Sequence, residues 1–221
     1  MKDMSSRKRK KLRNRTAFLP LKPLILILCE GEKTEPYYFE DIKRAWNLTS
    51  MDVRIIGSDE CGTAPKGIVE HAKKEFNKLA KGKLEIKKED VWCVFDRDDH
   101  PSFDEAVKMA VDNGFGAAAS NPCFELWYLL HFQDQTAHID RHNVARILKY
   151  EWIPGYAKNM KGLFIELESR LEAAAQRSVQ LREKHAGDGN RETCNPSTGV
   201  DRLISRLSNI REKPSKISGC V

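Results

Sequence analysis

The uninterrupted apolar run LILILC at Leu24–Cys29 constrains the fold of this chain more than any other feature. It is far shorter than the roughly 20 residues that cross a bilayer, and it matches one β-strand buried on both faces of a parallel sheet. Similar short apolar segments predict three more strands, at residues 52–57, 91–95 and 115–119. Segments with helical spacing alternate with these strands, at residues 34–46, 66–79, 104–111 and 123–132.

This alternation predicts an α/β fold in which right-handed crossovers build a mostly parallel four-stranded sheet flanked by helices. After residue 135 the pattern becomes helical, at residues 139–150, 163–184 and 200–210. We therefore expect an α/β core over residues 23–135 and a C-terminal helical extension over residues 136–215. The extension is expected to pack on one side of the sheet and to belong to the same domain, residues 23–215.

The positive charge of the chain is confined to its first 22 residues. The whole sequence carries a net charge of +6, whereas residues 1–22 contain nine Lys or Arg and one acid, Asp3, so residues 23–221 carry about −2. A segment reading RKRKKLRNR cannot bury apolar surface, so we expect residues 1–22 to form a disordered basic tail. It either adds sequence-independent attraction to nucleic-acid phosphates or serves only as a solubilising extension.

Targeting and cysteine patterns favour a soluble protein of the cytoplasm. The basic N-terminus is not followed by an apolar stretch with a small-residue cleavage site, as a secretory signal would be. The six cysteines lie far apart with no CxxC pair, which gives no support for a disulfide framework.

Acidic residues follow the predicted strands at the points where those strands end. Glu30 follows the first strand, Asp96 and Asp98 follow the third, and Glu125 comes shortly after the fourth. The carboxyl ends of parallel strands form the crevice where open α/β sheets bind their ligands. Converging carboxylates repel one another unless a divalent cation lies among them, and Mg²⁺ (or Mn²⁺) prefers such oxygen ligands. The sequence therefore predicts a metal site at this edge.

The chemistry that fits such a site is metal-dependent cleavage of a phosphodiester in a nucleic-acid strand. Asp96 and Asp98 are expected to hold the metal, and Glu30 acts either as a further ligand or as general acid/base. Glu125 either holds a second metal or orients the first ligands. Lys158, in the loop GYAK, is expected to neutralise the scissile phosphate.

The acidic motifs carry a family resemblance. A hydrophobic strand followed by Glu-Gly, and another followed by Asp-x-Asp, resembles the Toprim domain of topoisomerases, bacterial primases and OLD nucleases. Four longer motifs resemble the RloB family: CEGEKTEPYYF, VFDRDDH, SNPCFELWYLLHF and NPSTGV, at residues 29–39, 94–100, 120–132 and 195–200. The similarity extends over residues 24–207, which is nearly everything after the basic tail.

The resemblance implies a Toprim-like fold in which Glu30, Asp96 and Asp98 are the Toprim acids and Glu125 is a further member. Glu32 and Glu35 are the alternatives for the second acid of the first motif, and Glu35 is taken as the additional metal ligand. The resemblance also implies a bacterial phage-defence or abortive-infection effector that cleaves nucleic acid under the control of a partner AAA/ABC-type ATPase similar to RloA.

The expected partners are therefore that ATPase and a nucleic acid, either DNA or RNA including tRNA, with no membrane and with a homodimer as one possible assembly. Two other functions compete with a metal-dependent endonuclease. One is a non-catalytic Toprim-like partner or sensor subunit of an ATPase defence complex. The other is a Toprim phosphotransferase or primase-like enzyme, which the absence of zinc-ribbon cysteines and of further catalytic domains disfavours.

Overall fold

The structure is a computed structural model that describes residues 24–48, 52–56, 64–82, 86–98 and 100–211. The predicted basic tail at residues 1–22 lies outside the described residues, and so do the last residues of the predicted helical extension. The remaining predictions about the fold and the site fall on residues that the structure describes, apart from Gly57 at the predicted end of the second strand.

The described residues form an α/β fold. The strands are β1 (Leu24–Cys29), β2 (Asp52–Ile56), β3 (Val91–Asp96), β4 (Gly116–Asn121) and β5 (Ser197–Thr198). The α-helices are α1 (Thr34–Ala45), α2 (Pro65–Lys81), α3 (Phe103–Asp112), α4 (Glu125–Leu130), α5 (Arg141–Ile147), α6 (Leu163–Leu167), α7 (Leu171–Gly187) and α8 (Val200–Ile210). A short 3₁₀ helix, Lys88–Asp90, leads into β3.

The sheet has the strand order β2-β1-β3-β4-β5, with the first four strands parallel. The α/β fold with a mostly parallel sheet is thus confirmed, but the predicted count of four strands is one too few. β5 pairs antiparallel with β4, at Ser197 and Thr198. A Cβ at Gly199 would lie 2.9 Å from the carbonyl oxygen of Ala117, so the missing side chain allows this close approach.

Two of the predicted C-terminal helices differ in detail from the structure. The segment predicted as one helix over 163–184 forms α6 and α7, which a 3₁₀ turn at Glu168–Arg170 separates. The segment predicted over 139–150 begins at Arg141, because the Asp140 side chain accepts the backbone N–H groups of the first turn, and it continues through a π-helical turn at Leu148–Trp152.

Each face of the sheet has its own apolar core, and β1 contributes alternate residues to both. Its residues Ile25, Ile27 and Cys29 pack in the core that also contains α1, α4 and the C-terminal helices. Its other three residues pack in the core with α2 and α3 on the opposite face. All six are buried, which explains why the run carries no polar residue. The C-terminal helices therefore share a core with the sheet.

Candidate active site

Among the described residues, six acidic side chains line one cavity of about 400 Å³ at the carboxyl ends of β1, β3 and β4. One of them, Glu32, is exposed at its rim, and the other five carboxylates are the candidate site residues. They belong to Glu30, Glu35, Asp96, Asp98 and Glu125. The cavity is also lined by Lys158, so the structure brings every residue predicted for the site to one place. These residues come from β3, two helices and three loops or strand ends that are far apart in the sequence.

Parallel pairing of β1 with β3 explains how Glu30 meets Asp96. Cys29 pairs with Val94, so both strands end at the same edge. The Glu30 N–H continues the ladder by donating to the Val94 carbonyl oxygen at 2.9 Å, and the Asp96 N–H donates to Glu30 Oε2 at 2.8 Å. The other oxygen, Oε1, lies 3.4 Å from His100 Nε2. The Glu30 carboxylate is therefore held against the end of β3.

The first motif places Glu35, and not Glu32, inside the site. Glu35 lies in the first turn of α1 and is 5% exposed, whereas Glu32 is exposed at the rim of the cavity. A Cβ at position 31 would overlap the Glu35 carboxylate, so Gly31 is needed where that carboxylate lies. This geometry favours Glu35 among the two alternatives for the second acid of the motif.

Asp96 and Asp98 meet different surroundings although they are two residues apart. Asp96 Oδ1 is buried and has no hydrogen-bond partner among the described residues. Asp98 lies 2.7 Å from Arg141 Nη1 and adopts a φ of +37°, in the left-handed region that aspartate tolerates better than most residues. Backbone conformations of this kind occur preferentially at functional sites, where surrounding contacts maintain them.

Lys158 and Glu125 form an ion pair in the wall of the cavity. The Lys158 Nζ lies 3.4 Å from Glu125 Oε1, and the Glu125 side chain is buried while that of Lys158 is 57% exposed. The Thr34 hydroxyl donates to the Lys158 carbonyl oxygen at 2.5 Å, which ties the loop carrying Lys158 to the start of α1. The ammonium group thus stays at the mouth of the cavity, where an anionic ligand can reach it.

Burial and mutual repulsion make several of these carboxylates hard to ionise. The pKa of Glu30 is raised to about 7, mainly by burial and also by the charges of Asp98 and Glu35, against the opposing hydrogen bond from Asp96. Burial also raises the pKa of Glu35 to about 7. The pKa of Asp96 is raised well above its usual value by burial and by the neighbouring carboxylates. A cation in the cavity would reverse these shifts.

The carboxylate oxygens that line the cavity are of the ligand type that hard divalent cations prefer. Within residues 24–211, as far as these are described, no three His, Cys, Asp or Glu side chains lie close enough together to hold a metal ion between them. Mg²⁺ is commonly bound by one or two carboxylates plus waters. The unpartnered Asp96 Oδ1 offers one such ligand at the centre of the acidic group. The charges of Glu35, Glu125 and Glu30 act on the Asp96 carboxylate.

Arg141 is a cavity residue that the sequence patterns did not predict. It begins α5, more than 40 residues after Asp98, and reaches the site because α5 packs against α4, the helix that follows β4. An arginine at the start of a short helical segment has no local signal that distinguishes it from a surface residue. Its position follows from tertiary packing.

Comparison with protein families identifies the chain over most of its length. The RloB-like protein model matches residues 25–207. The chain belongs to the RloB-like family. The matched span contains all five carboxylates and Lys158, and it covers the five strands of the described sheet except Leu24 at the start of β1. The resemblance of the four longer motifs to this family is therefore confirmed.

No curated protein and no solved structure matches the chain. Membership of the RloB-like family therefore rests on the family model. The Toprim relationship and the roles of the site residues rest on the sequence motifs and on the geometry described above. In the described part of the chain, no helix is both long and apolar enough to cross a membrane.

Proposed function

We propose that the chain is a Mg²⁺-dependent (or Mn²⁺-dependent) nuclease that hydrolyses phosphodiester bonds in DNA or RNA, including tRNA. The observation that carries this proposal is the convergence of five carboxylates around one open cavity at the carboxyl ends of the parallel strands. Folds normally avoid such a concentration of like charge, so its presence at the ligand-binding edge indicates a cationic cofactor. The strand-end motifs also resemble those of Toprim nucleases.

The protein side chains divide into metal-holding, proton-transferring and phosphate-binding groups. Asp96 and Asp98 are assigned as metal ligands, with Glu35 and Glu125 supporting them. A bound divalent cation would activate water and stabilise charge on the phosphate oxygens. Glu30 either joins the ligands or exchanges a proton with the attacking water, a role for which a pKa of about 7 is suited at neutral pH.

Lys158 is assigned to the phosphate itself. Its ammonium group stands at the cavity mouth, 3.4 Å from Glu125 and more than half exposed. A flexible point charge in this position can leave its carboxylate partner and approach a non-bridging phosphate oxygen. We propose that the cytoplasmic role of this activity is phage defence or abortive infection, with a partner AAA/ABC-type ATPase controlling it. Family membership and the Toprim-like motifs support this context.

The test is metal-dependent cleavage by purified protein, compared between wild type and Asp96→Asn. Single- and double-stranded DNA and RNA, including tRNA, are incubated with Mg²⁺ or Mn²⁺ and with EDTA. We expect cleavage only with metal, and a loss of about 100-fold or more in Asp96→Asn. Asp112→Asn is the matched control, because Asp112 is an exposed aspartate at the end of α3 whose carboxylate pairs with Lys108.

Two results would count against the assignment. Cleavage that persists undiminished in Asp96→Asn places the activity elsewhere. If no wild-type cleavage occurs with either metal while the protein forms a stable complex with its ATPase, the chain is instead the non-catalytic partner subunit that the sequence also allows.

A further inference from the structure

A second cavity of about 600 Å³ adjoins the carboxylate cavity. Asp98 and Arg141 line both cavities, so their ion pair stands at the boundary between them. The wall on the far side comes from the loop before α5 and from the loop between α7 and β5. A ligand longer than the carboxylate cavity can therefore continue into the second one.

The two cavities have opposite charge. The carboxylate cavity has mainly acidic walls, whereas the second cavity is lined by three arginines and two histidines. These basic residues, which we call the arginine pocket, are Arg97, Arg141, Arg191, His138 and His142. A polynucleotide has one phosphate per about 3.4 Å of rise along each strand, so a reacting phosphodiester brings neighbouring phosphates with it. Those neighbours need a basic surface beside the acidic site.

Two acids among the described residues line the arginine pocket, and both have other partners. Asp98 pairs with Arg141. The Asp140 carboxylate accepts the backbone N–H groups of His142 and Asn143, both at 2.9 Å, and so caps the start of α5. Neither carboxylate therefore neutralises Arg97 or Arg191 directly.

Arg97 and Arg191 both contact Asp104 and keep N–H donors available for a ligand. Both approach Asp104, with Arg191 Nη1 at 2.6 Å and Arg97 Nη1 at 3.8 Å from its Oδ2. The Arg97 guanidinium also lies 5.6 Å from the centre of the Phe103 ring. Their side chains are 42% and 74% exposed, respectively. Since each guanidinium has five N–H donors, one acidic partner leaves most of them available to phosphate oxygens.

We propose that the arginine pocket binds the nucleotide adjacent to the scissile phosphodiester, with Arg97 and Arg191 on its phosphate. Pro122 and Ile139 add apolar surface to the same cavity, against which the base or sugar can pack. The pocket thus extends the substrate path from the carboxylates across the Asp98–Arg141 pair. This inference rests on the proposed nuclease function, and it specifies a polynucleotide strand as the ligand in preference to a free mononucleotide.

The test is binding of a short, fluorescently labelled single-stranded oligonucleotide, as DNA and as RNA, measured by anisotropy with EDTA present so that no cleavage occurs. The full chain is used in every case, so the basic N-terminal segment contributes equally. The test variant is Arg97→Gln/Arg191→Gln. The matched control is Lys108→Gln/Lys184→Gln, which removes the same charge from exposed helix positions that line neither cavity.

We expect the arginine variant to bind at least about tenfold more weakly than the lysine control. Its dependence of log K on log salt should be less steep by about 1.4, because each phosphate contact with a single strand contributes about 0.7 to that slope. Arg97→Lys should restore part of the affinity lost in Arg97→Gln, which a mere folding defect would not allow. A mononucleotide should compete only weakly for the same site.

The outcomes separate this inference from the proposed function. If wild type cleaves and binds the oligonucleotide while the arginine variant binds as the lysine control does, the arginine pocket is not a nucleotide subsite and the nuclease assignment stands. If wild type neither binds nor cleaves any nucleic acid, both proposals fail. If a mononucleotide competes as well as the oligonucleotide, the pocket is a mononucleotide site and the strand path is wrong.

Discussion

Replacing Glu35 by glutamine should stabilise the metal-free protein, although Glu35 is buried. Burial raises its pKa from 4.5 to about 7. For an acid whose pKa is raised on folding, the associated stability is fully present below pH 4.5 and is lost as the pH rises through 7. A shift of this size corresponds to about 3 kcal/mol at pH 8.5, since one pKa unit is about 1.4 kcal/mol. Glutamine has nearly the same shape as the glutamate side chain and carries no charge.

The assay is urea unfolding of wild type and Glu35→Gln in EDTA at pH 5 and at pH 8.5. The stabilisation should grow from under about 1 kcal/mol at pH 5 to about 3 kcal/mol at pH 8.5. Glu35 also lies in the first turn of α1, where its negative charge is favourable by about 0.3–1 kcal/mol, so the net gain will be slightly smaller. Glu32→Gln is the matched control, because Glu32 is exposed three residues earlier.

Magnesium provides the opposite perturbation. If the cavity binds a divalent cation, the ionised carboxylates become favourable and wild type should recover stability at pH 8.5 when Mg²⁺ is added. The reasoning is refuted if Glu35→Gln is no more stable than Glu32→Gln at pH 8.5, or if its gain does not depend on pH. Either result would mean that burial of the ionised Glu35 carboxylate does not destabilise the folded protein.

Two further predictions concern neighbours of the site. Gly31→Ala should displace the Glu35 carboxylate, lowering the free energy of unfolding by about 1–3 kcal/mol and reducing nuclease activity. In a Glu35→Ala background the same change should have little effect on stability. Equal losses of stability in both backgrounds, measured by urea unfolding, would contradict the overlap between a Cβ at position 31 and the Glu35 carboxylate. Burial lowers the pKa of His131 to about 4, so stability should fall as the pH drops from 6.5 towards 4. His131→Gln should reduce that loss of stability by about 3 kcal/mol in acid unfolding curves. An unchanged pH dependence in the variant would contradict this assignment to His131.

The strands that position the site could be predicted because their sequences reflect burial on both faces. β1 and β3 are almost entirely apolar. Short apolar segments that alternate with helices along a chain are typical of strands buried on both faces of a parallel sheet. Once those strands are parallel, the residues that follow them must meet at one edge. Glu30, Asp96 and Asp98 could therefore be assigned to one site from the sequence.

The features that the sequence did not reveal depend on contacts between distant segments. β5 has two residues, too few for a periodic pattern, and exists because Ser197 and Thr198 pair with the end of β4. Arg141 reaches Asp98 through the packing of α5. The choice of Glu35 over Glu32 depends on space beside Gly31, which no spacing rule encodes.

Basic side chains are distributed unevenly among the five carboxylates of the site. Asp98 pairs with Arg141, and Glu125 with Lys158. Among the ion pairs of the described residues, Glu30, Glu35 and Asp96 have no arginine or lysine partner, and these three have raised pKa values. Arg141 and Lys158 therefore offset Asp98 and Glu125, whereas ionisation of the other three carboxylates has no such compensation. A divalent cation at Asp96 would supply the missing charge while Lys158 and Arg141 remained free to exchange their carboxylates for phosphate oxygens.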